Sequence, residues 1–342
     1  MTTVAEFEQA FRGLRAGQVL DLNGQEFQGP VSLTGARGGT VKNFKVSGSW
    51  YPLYVFDALD VLFEDFEVSD GLNENISLGA APGRVAGYGP VTGRFTRFVS
   101  RDAGQAGMSI KSDCDVEVDH FVIDGTGGRL TGSASWGEGI YVGYNGPGEW
   151  NGSHAYWGKH DVTVGPRVDI HHGEFRRIEK GEAVDFKPYS SGVLHHSTVV
   201  SNRLYHSGSV TVSLDYRKPN FGPWEVHDMV FESVTMHPDS PYSTPAAVVV
   251  GGTAKVGKLS YPSGTPGYGL VVRDLTDDET VLLYEAGEYQ VWGGGNVVQS
   301  PVDPWPEPSQ PEPEPEPEPD PDPDLGFSGM LVFVDGRLED VI

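Results

Sequence analysis

NFKVSG at 43–48 and DFEVSDG at 65–71 carry the same pattern: an aromatic, a polar residue, an apolar residue, then a turn of Ser, Asp and Gly. RFVSRDAG at 97–104, HFVIDGTG at 120–127, EFRRIEKG at 174–181 and VFESVTM at 230–236 repeat it, with Val199 of STVVSN in the same place. The anchors Phe44, Phe66, Phe98, Phe121, Phe175, Val199 and Phe231 are 22, 32, 23, 54, 24 and 32 residues apart. A period near 22 to 24 emerges, lengthened where Gly- or Pro-rich insertions intervene, as at 79–90, 125–160 and 216–225. A repeat of that length built only from short strands predicts a parallel β-helix, in which each coil buries its inward side chains against its neighbours. A hairpin sandwich would instead show tight Asn-Gly or Asp-Gly turns every 8 to 12 residues.

The rest of the chain fits around this repeat. Val4, Phe7, Phe11 and Leu14 lie at helical spacing, so residues 1–17 are read as a capping helix over 4–16 that covers the first coil. Residues 18–300 form the β-helix domain. PVDPWPEPSQPEPEPEPEPDPDPD at 301–324 holds 11 prolines and 9 acids with no basic residue, the composition of an extended linker. Residues 325–342 are too few to bury their own apolar side chains and read as a docking peptide.

The 342 residues carry 24 Lys+Arg against 48 Asp+Glu, a net charge of −24. Removing the nine acids of 301–324 still leaves −15, so acidity is general. That balance argues against nucleic acid, whose phosphates are neutralised by basic surfaces, and against anionic membranes. No apolar run approaches the roughly 20 residues of a spanning helix, and the N-terminus does not read as a secretory leader. Cys114 is the lone cysteine, which excludes an intrachain disulfide.

VAEFEQAFRGLRAGQVLDLNGQEFQGPVSL at 4–33 resembles the capping helix and first coil of the pectate-lyase-like superfamily. GEGIYVG at 137–143 and GEAVDFKPYSSG at 181–192 are similar to paired rungs of its secreted bacterial members. The resemblance implies a right-handed parallel β-helix over roughly 4–298. That superfamily holds lyases, hydrolases, epimerases and inactive virion spikes. The acidic proline run with its short tail looks more like bacteriophage virion proteins. The leading expectation is therefore a virion surface protein, spike-, fibre- or decoration-like, that engages host-envelope polysaccharide and is held to a virion structural protein by residues 325–342. The alternative is an extracellular polysaccharide lyase or glycoside hydrolase, with calcium as a conceivable cofactor if a lyase. A homo-oligomer is allowed by the resemblance to spikes, although no coiled-coil heptad is present.

Three strands align through their glycines, at 107–111 (GMSIK), 137–143 and 181–187, and a fourth at 210–214 (VTVSL) continues the stack. Period-two alternation turns Met108, Ile110, Ile140, Val142, Val184 and Phe186 inward and Ser109, Tyr141 and Asp185 outward. Rungs ~4.8 Å apart then gather Lys111, Tyr141, Asp185, Lys187, Asp215 and Arg217 into an outward patch. Uronate elimination needs a base for the C5 proton and a cation for the sugar carboxylate, and Asp185, Lys187, Asp215 and Arg217 are the catalytic candidates. For hydrolysis, Asp185 would pair with Glu182, Glu138 or Asp215. Strict alternation puts Glu138 and Glu182 on the inward side at the start of their strands, with a place at a bend as the alternative, and they read first as turn-fixing residues. Trp136, Tyr141, Trp150, Trp157, Tyr189, Tyr216 and Trp224 are the candidate glycan contacts, since flat aromatic rings match the apolar faces of sugars. His171, His195 and His227 each precede an anchor by four residues and are expected to stack, first as a polar ladder and second as a zinc or nickel site. Asp70, Asp102, Asp124 and Glu179 read as turn formers before calcium ligands.

Overall fold

The computed structural model describes residues 3–79, 89–111, 114–128, 137–143, 165–187, 190–205, 208–212, 222–241, 243–261, 269–285, 287 and 289–300, with the strand residues 332–334 and 337–339. The chain divides into two units, Met1–Asp303 and Pro304–Ile342. In the second, Val332–Val334 pairs antiparallel with Arg337–Glu339. The expected linker at 301–324 lies outside the described residues.

The first unit is a parallel β-helix. Among the described residues its strands pair only in parallel, each with the corresponding strand of the next coil. A large sheet forms most of the wall, and a second sheet stacks ten short strands, among them Ile76–Leu78, Met108–Ile110, Ile140–Val142, Val184–Phe186 and Val210–Val212. Inside, apolar side chains form columns. Phe44, Phe66, Phe98 and Phe121 stack ring on ring at centroid separations of 5.1, 4.9 and 5.6 Å. Each of these rings is 3% exposed or less, a burial that stabilises by roughly 1.5–3 kcal/mol per side chain.

The anchor register holds from Phe44 to Phe121 and then needs correction. Val122 pairs with Glu174 and Ile123 with Phe175, so Phe121 faces Gly173, two positions from the expected partner. The reason is steric. A Cβ at Gly173 would come within 2.0 Å of the Phe121 ring, so the ring occupies the space that a side chain there would need. The shift is even, so the inward face is kept.

Corners of the coil are made by left-handed residues. Asn43, Asp65, Arg97, His120, His172, His196 and Asp228 share one column, with φ between 46° and 57°. Short polar side chains that bond to local backbone tolerate this conformation best, hence the run of Asn, Asp and His. Arg97 is offset by hydrogen bonds to both oxygens of Asp65, at 2.8 and 2.9 Å. Asp70 and Asp102 occupy a second such column, at φ 62° and 51°, with Gly125 and Arg177.

The capping helix is real but shorter than the expected 4–16: it runs Val4–Gly13, with Thr3 and Glu6 forming a reciprocal capping box. Phe7 and Phe11 are fully buried, Phe7 against Phe27 and Phe44, while Ser32 N–H donates to Glu8 Oε1 at 2.7 Å. The helix therefore seals the first coil by packing and by hydrogen bonding.

Candidate functional site

The short-strand sheet sets every side chain of the site by register. Ser77, Ser109, Tyr141, Asp185 and Thr211 pair in sequence, one per coil, and form a single outward column. Two residues before each strand the chain bends, and Glu74, Glu138 and Glu182 hold equivalent places there. Three residues after the strand's first position come Lys111 and Lys187. A grid of acids, central side chains and lysines results.

Glu138 and Glu182 correct the alternation argument. Both precede their strands, across the bend, and so escape the two-residue alternation that would have turned them inward. Their carboxyl oxygens and that of Asp185 lie within 4.8 Å of one another. The expected patch also differs in exposure. Ser109 is fully buried, Asp185 is 3% exposed and Lys111 is 7% exposed. Asp185 is enclosed by its partners: Thr211 Oγ1 donates to Oδ1 at 2.7 Å and Lys187 Nζ sits 2.7 Å from Oδ2. Lys111 Nζ lies 2.7 Å from Glu74 Oε1. Between them the Tyr141 ring is flanked by two ammonium groups, Lys111 Nζ at 5.9 Å and Lys187 Nζ at 5.7 Å from its centroid.

This crowding controls protonation. Burial, and then the nearby Asp185, pushes Glu138 up to about 7. The same causes in the same order raise Glu182 well above the usual carboxylate range. Burial pulls the Lys187 ammonium down, but Asp185, Tyr141 and Glu182 outweigh it and hold the group charged. Burial likewise keeps the Tyr141 phenol above its ordinary value, with Lys187 pulling the other way. Glu138 Oε2 is buried and accepts no hydrogen bond among the described residues. A buried acceptor left without a partner costs about 1–3 kcal/mol, so its retention asks for a reason.

Two chemistries can be separated by distance. Inverting hydrolysis needs carboxyl groups ~6.5–9.5 Å apart to admit a water, and this cluster is tighter. Calcium does not fit either. It takes 6–8 oxygens, while three carboxyls are gathered here and both oxygens of Asp185 are already engaged, by Thr211 and by Lys187. The cluster presents a carboxyl near its titration point, a protonated phenol and fixed cations, an acid–base arrangement.

Of the remaining candidates, Trp224 is corrected. It is fully buried in the strand Trp224–His227, and its indole Nε1 donates to Ser190 Oγ at 3.1 Å, so it belongs to the core and offers no face to a sugar. Asp215, Arg217, Trp136, Trp150, Trp157, Tyr189 and Tyr216 lie outside the described residues. Glu74 was missed from sequence, although its signal was present: an acid two positions before an apolar–polar–apolar triplet, as in Glu138 and Glu182.

The histidines stack as expected. His171, His195 and His227 follow one another at centroid separations of 4.9 and 5.1 Å. A second column, His120, His172 and His196, runs beside it at 5.2 and 5.4 Å.

No protein-family model and no curated protein matches this chain. Among solved structures, an alginate lyase from Paenibacillus sp. str. FPU-7 superposes with a TM-score of 0.57 over 88% of this chain and 97% of its own, at 16% identity. The Agl-KA catalytic domain matches over 87% of this chain and 65% of its own at 10% identity, with a TM-score of 0.30, too low to carry an argument. The first likeness shows a shared fold and no more.

Proposed function

We propose that this chain is a polysaccharide lyase that cleaves uronate-containing glycans by β-elimination at the site formed by Glu138, Tyr141 and Lys187. Lys187 and Lys111 neutralise the uronate carboxylate and so acidify C5–H. Glu138, poised near neutrality, accepts the C5 proton. The C–H electron pair becomes the C4–C5 double bond as the C4–O4 bond breaks, and O4 takes its proton from the Tyr141 phenol. Lys187 steadies the phenolate until the proton on Glu138 restores it. The carrying observation is the buried Glu138 Oε2, which has no hydrogen-bond partner among the described residues, beside a phenol flanked by two ammonium groups. The shared fold with an alginate lyase supports the reading.

The test is ultraviolet absorbance of the unsaturated product when the full chain is mixed with a panel of acidic polysaccharides that includes alginate. Turnover that falls 10²- to 10⁴-fold in Tyr141→Phe and in Glu138→Gln is expected. Absence of product across the panel, or full activity in both variants, overturns it. Attachment to a virion by residues 325–342 is a separate proposal, carried by the composition of 301–324. It predicts that deleting 325–342 leaves turnover intact and abolishes incorporation into a particle.

A further inference from the structure

The histidine columns lie on the large sheet, away from the strands of the proposed lyase site, and they have carboxylates along their flank. His171 Nε2 is 3.2 Å from Glu117 Oε1, and His195 Nε2 is 3.0 Å from Asp169 Oδ1. Asp169 and His171 belong to one coil and His195 to the next, in register with His171. The donor atoms of Asp169, His171 and His195 all lie within 4.8 Å of one another. On the far side of each ring the Nδ1 is already held, His171 by His172 Nδ1 and His195 by His196 Nδ1, both at 2.7 Å.

We infer that Asp169, His171 and His195 form a binding site for a divalent transition-metal ion of the zinc class, bridging two successive coils. Two imidazole nitrogens and one carboxylate are the donor set of sites that keep a coordination position open for water. The second imidazole behind each ligand fixes its tautomer, as outer partners of metal-bound histidines do. When Nε2 of His171 turns its lone pair to the ion, its proton resides on Nδ1 and is donated to His172, whose own proton moves to Nε2. His195 and His196 repeat the exchange, so no proton has to be lost. Donors held at ~2.0–2.1 Å around a tetrahedral ion sit about 3.4 Å apart, so the three must draw together. The Asp169 side chain, 53% exposed, is free to rotate inward.

Access and charge agree with this. An open groove of about 500 Å³ runs alongside, lined by Asp115, Glu117, Asp169 and Glu225. In that lining Asp115 is engaged by Arg167 at 3.0 Å, Glu117 by Arg94 at 3.3 Å and Glu225 by Lys255 at 2.9 Å, which leaves Asp169 as the groove acid with no arginine or lysine partner among the described residues. Neighbouring sets are less suited. Arg94 is bonded to both Glu117 and Asp119, and the charge of Lys258 acts on His196 beside His227 and Asp228.

The experiment uses the full chain, tag-free and stripped with chelator, titrated calorimetrically with Zn²⁺ or Ni²⁺ and, as controls, Ca²⁺ or Mg²⁺. One saturable Zn²⁺ site per chain is expected, with a rise in thermal midpoint and no response to Ca²⁺. His195→Asn is expected to weaken Zn²⁺ binding at least tenfold with unchanged circular dichroism. Asp169→Asn, at an exposed side chain, reads the same loss should the histidine variant fail to fold. Co²⁺ in place of Zn²⁺ reports nitrogen ligation by its visible absorption. No saturable Zn²⁺ binding in the wild type, or undiminished binding in the folded variants, overturns the assignment.

Discussion

Lys111 Nζ and Glu74 Oε1 meet at 2.7 Å although 37 residues separate them in sequence. The lysine ends one short strand and the glutamate precedes the strand of the coil below, so stacking alone delivers the contact. Both residues are buried, Lys111 at 7% and Glu74 at 9% exposure. A charged pair in such surroundings is costly to break one-sidedly.

Replacing Lys111 by Met is expected to lower unfolding free energy by about 3–5 kcal/mol, because Glu74 is left charged and enclosed. Lys111→Met with Glu74→Gln recovers much of that loss. Urea denaturation of the two proteins decides the matter, and equal midpoints would contradict the pairing.

Glu138 governs a pH window. In the unfolded chain it titrates at its ordinary 4.5 and in the folded chain at about 7. Below 4.5 both states hold the proton and nothing is gained or lost. Between 4.5 and 7 the folded state binds a proton that the unfolded state has released, so stability falls as pH rises. The full penalty, on the order of 3 kcal/mol, is reached above 7. Glu138→Gln should flatten this decline, and a stability profile parallel to wild type would refute it.

Gly173→Ala drives a methyl group into the Phe121 ring, with about 1–3 kcal/mol of overpacking expected and a lowered thermal midpoint. Phe121→Leu in the same chain should restore part of the loss. Additivity of the two changes would show that they do not touch.

Trp224→Phe loses the indole hydrogen bond to Ser190, whose hydroxyl donates to the Lys187 carbonyl at 2.6 Å. A cost of about 0.5–1.5 kcal/mol in stability is expected. The KM for polysaccharide should stay within twofold of wild type, whereas a sugar-stacking platform would raise it sharply.

Much of this architecture is legible in the chain because a solenoid turns local repetition into contact. The anchors from Phe44 to Phe121, the pairing of Tyr141 with Asp185 and the stacking of His171, His195 and His227 all follow from a period of two dozen residues. Two-residue alternation holds only within a strand and fails across a bend. Glu138 and Glu182 sit before their strands, where side-chain direction is set by corner geometry that two-residue counting does not capture. Trp224 was misjudged for a related reason: beside an insertion it looked like loop chemistry, but its strand turns the indole into the core. The enclosure of Asp185 depends on partners from three coils, Glu138, Glu182 and Thr211, a convergence that no single segment announces.

The coil from Val122 to Glu174 consumes 52 residues while that from Val99 to Val122 consumes 23, and both land their strands in the same hydrogen-bonded ladder. Chain length between rungs is thus decoupled from position on the wall. Length can therefore be gained or lost between rungs while the ladder keeps its spacing, which makes the wall a frame that tolerates refitting piece by piece.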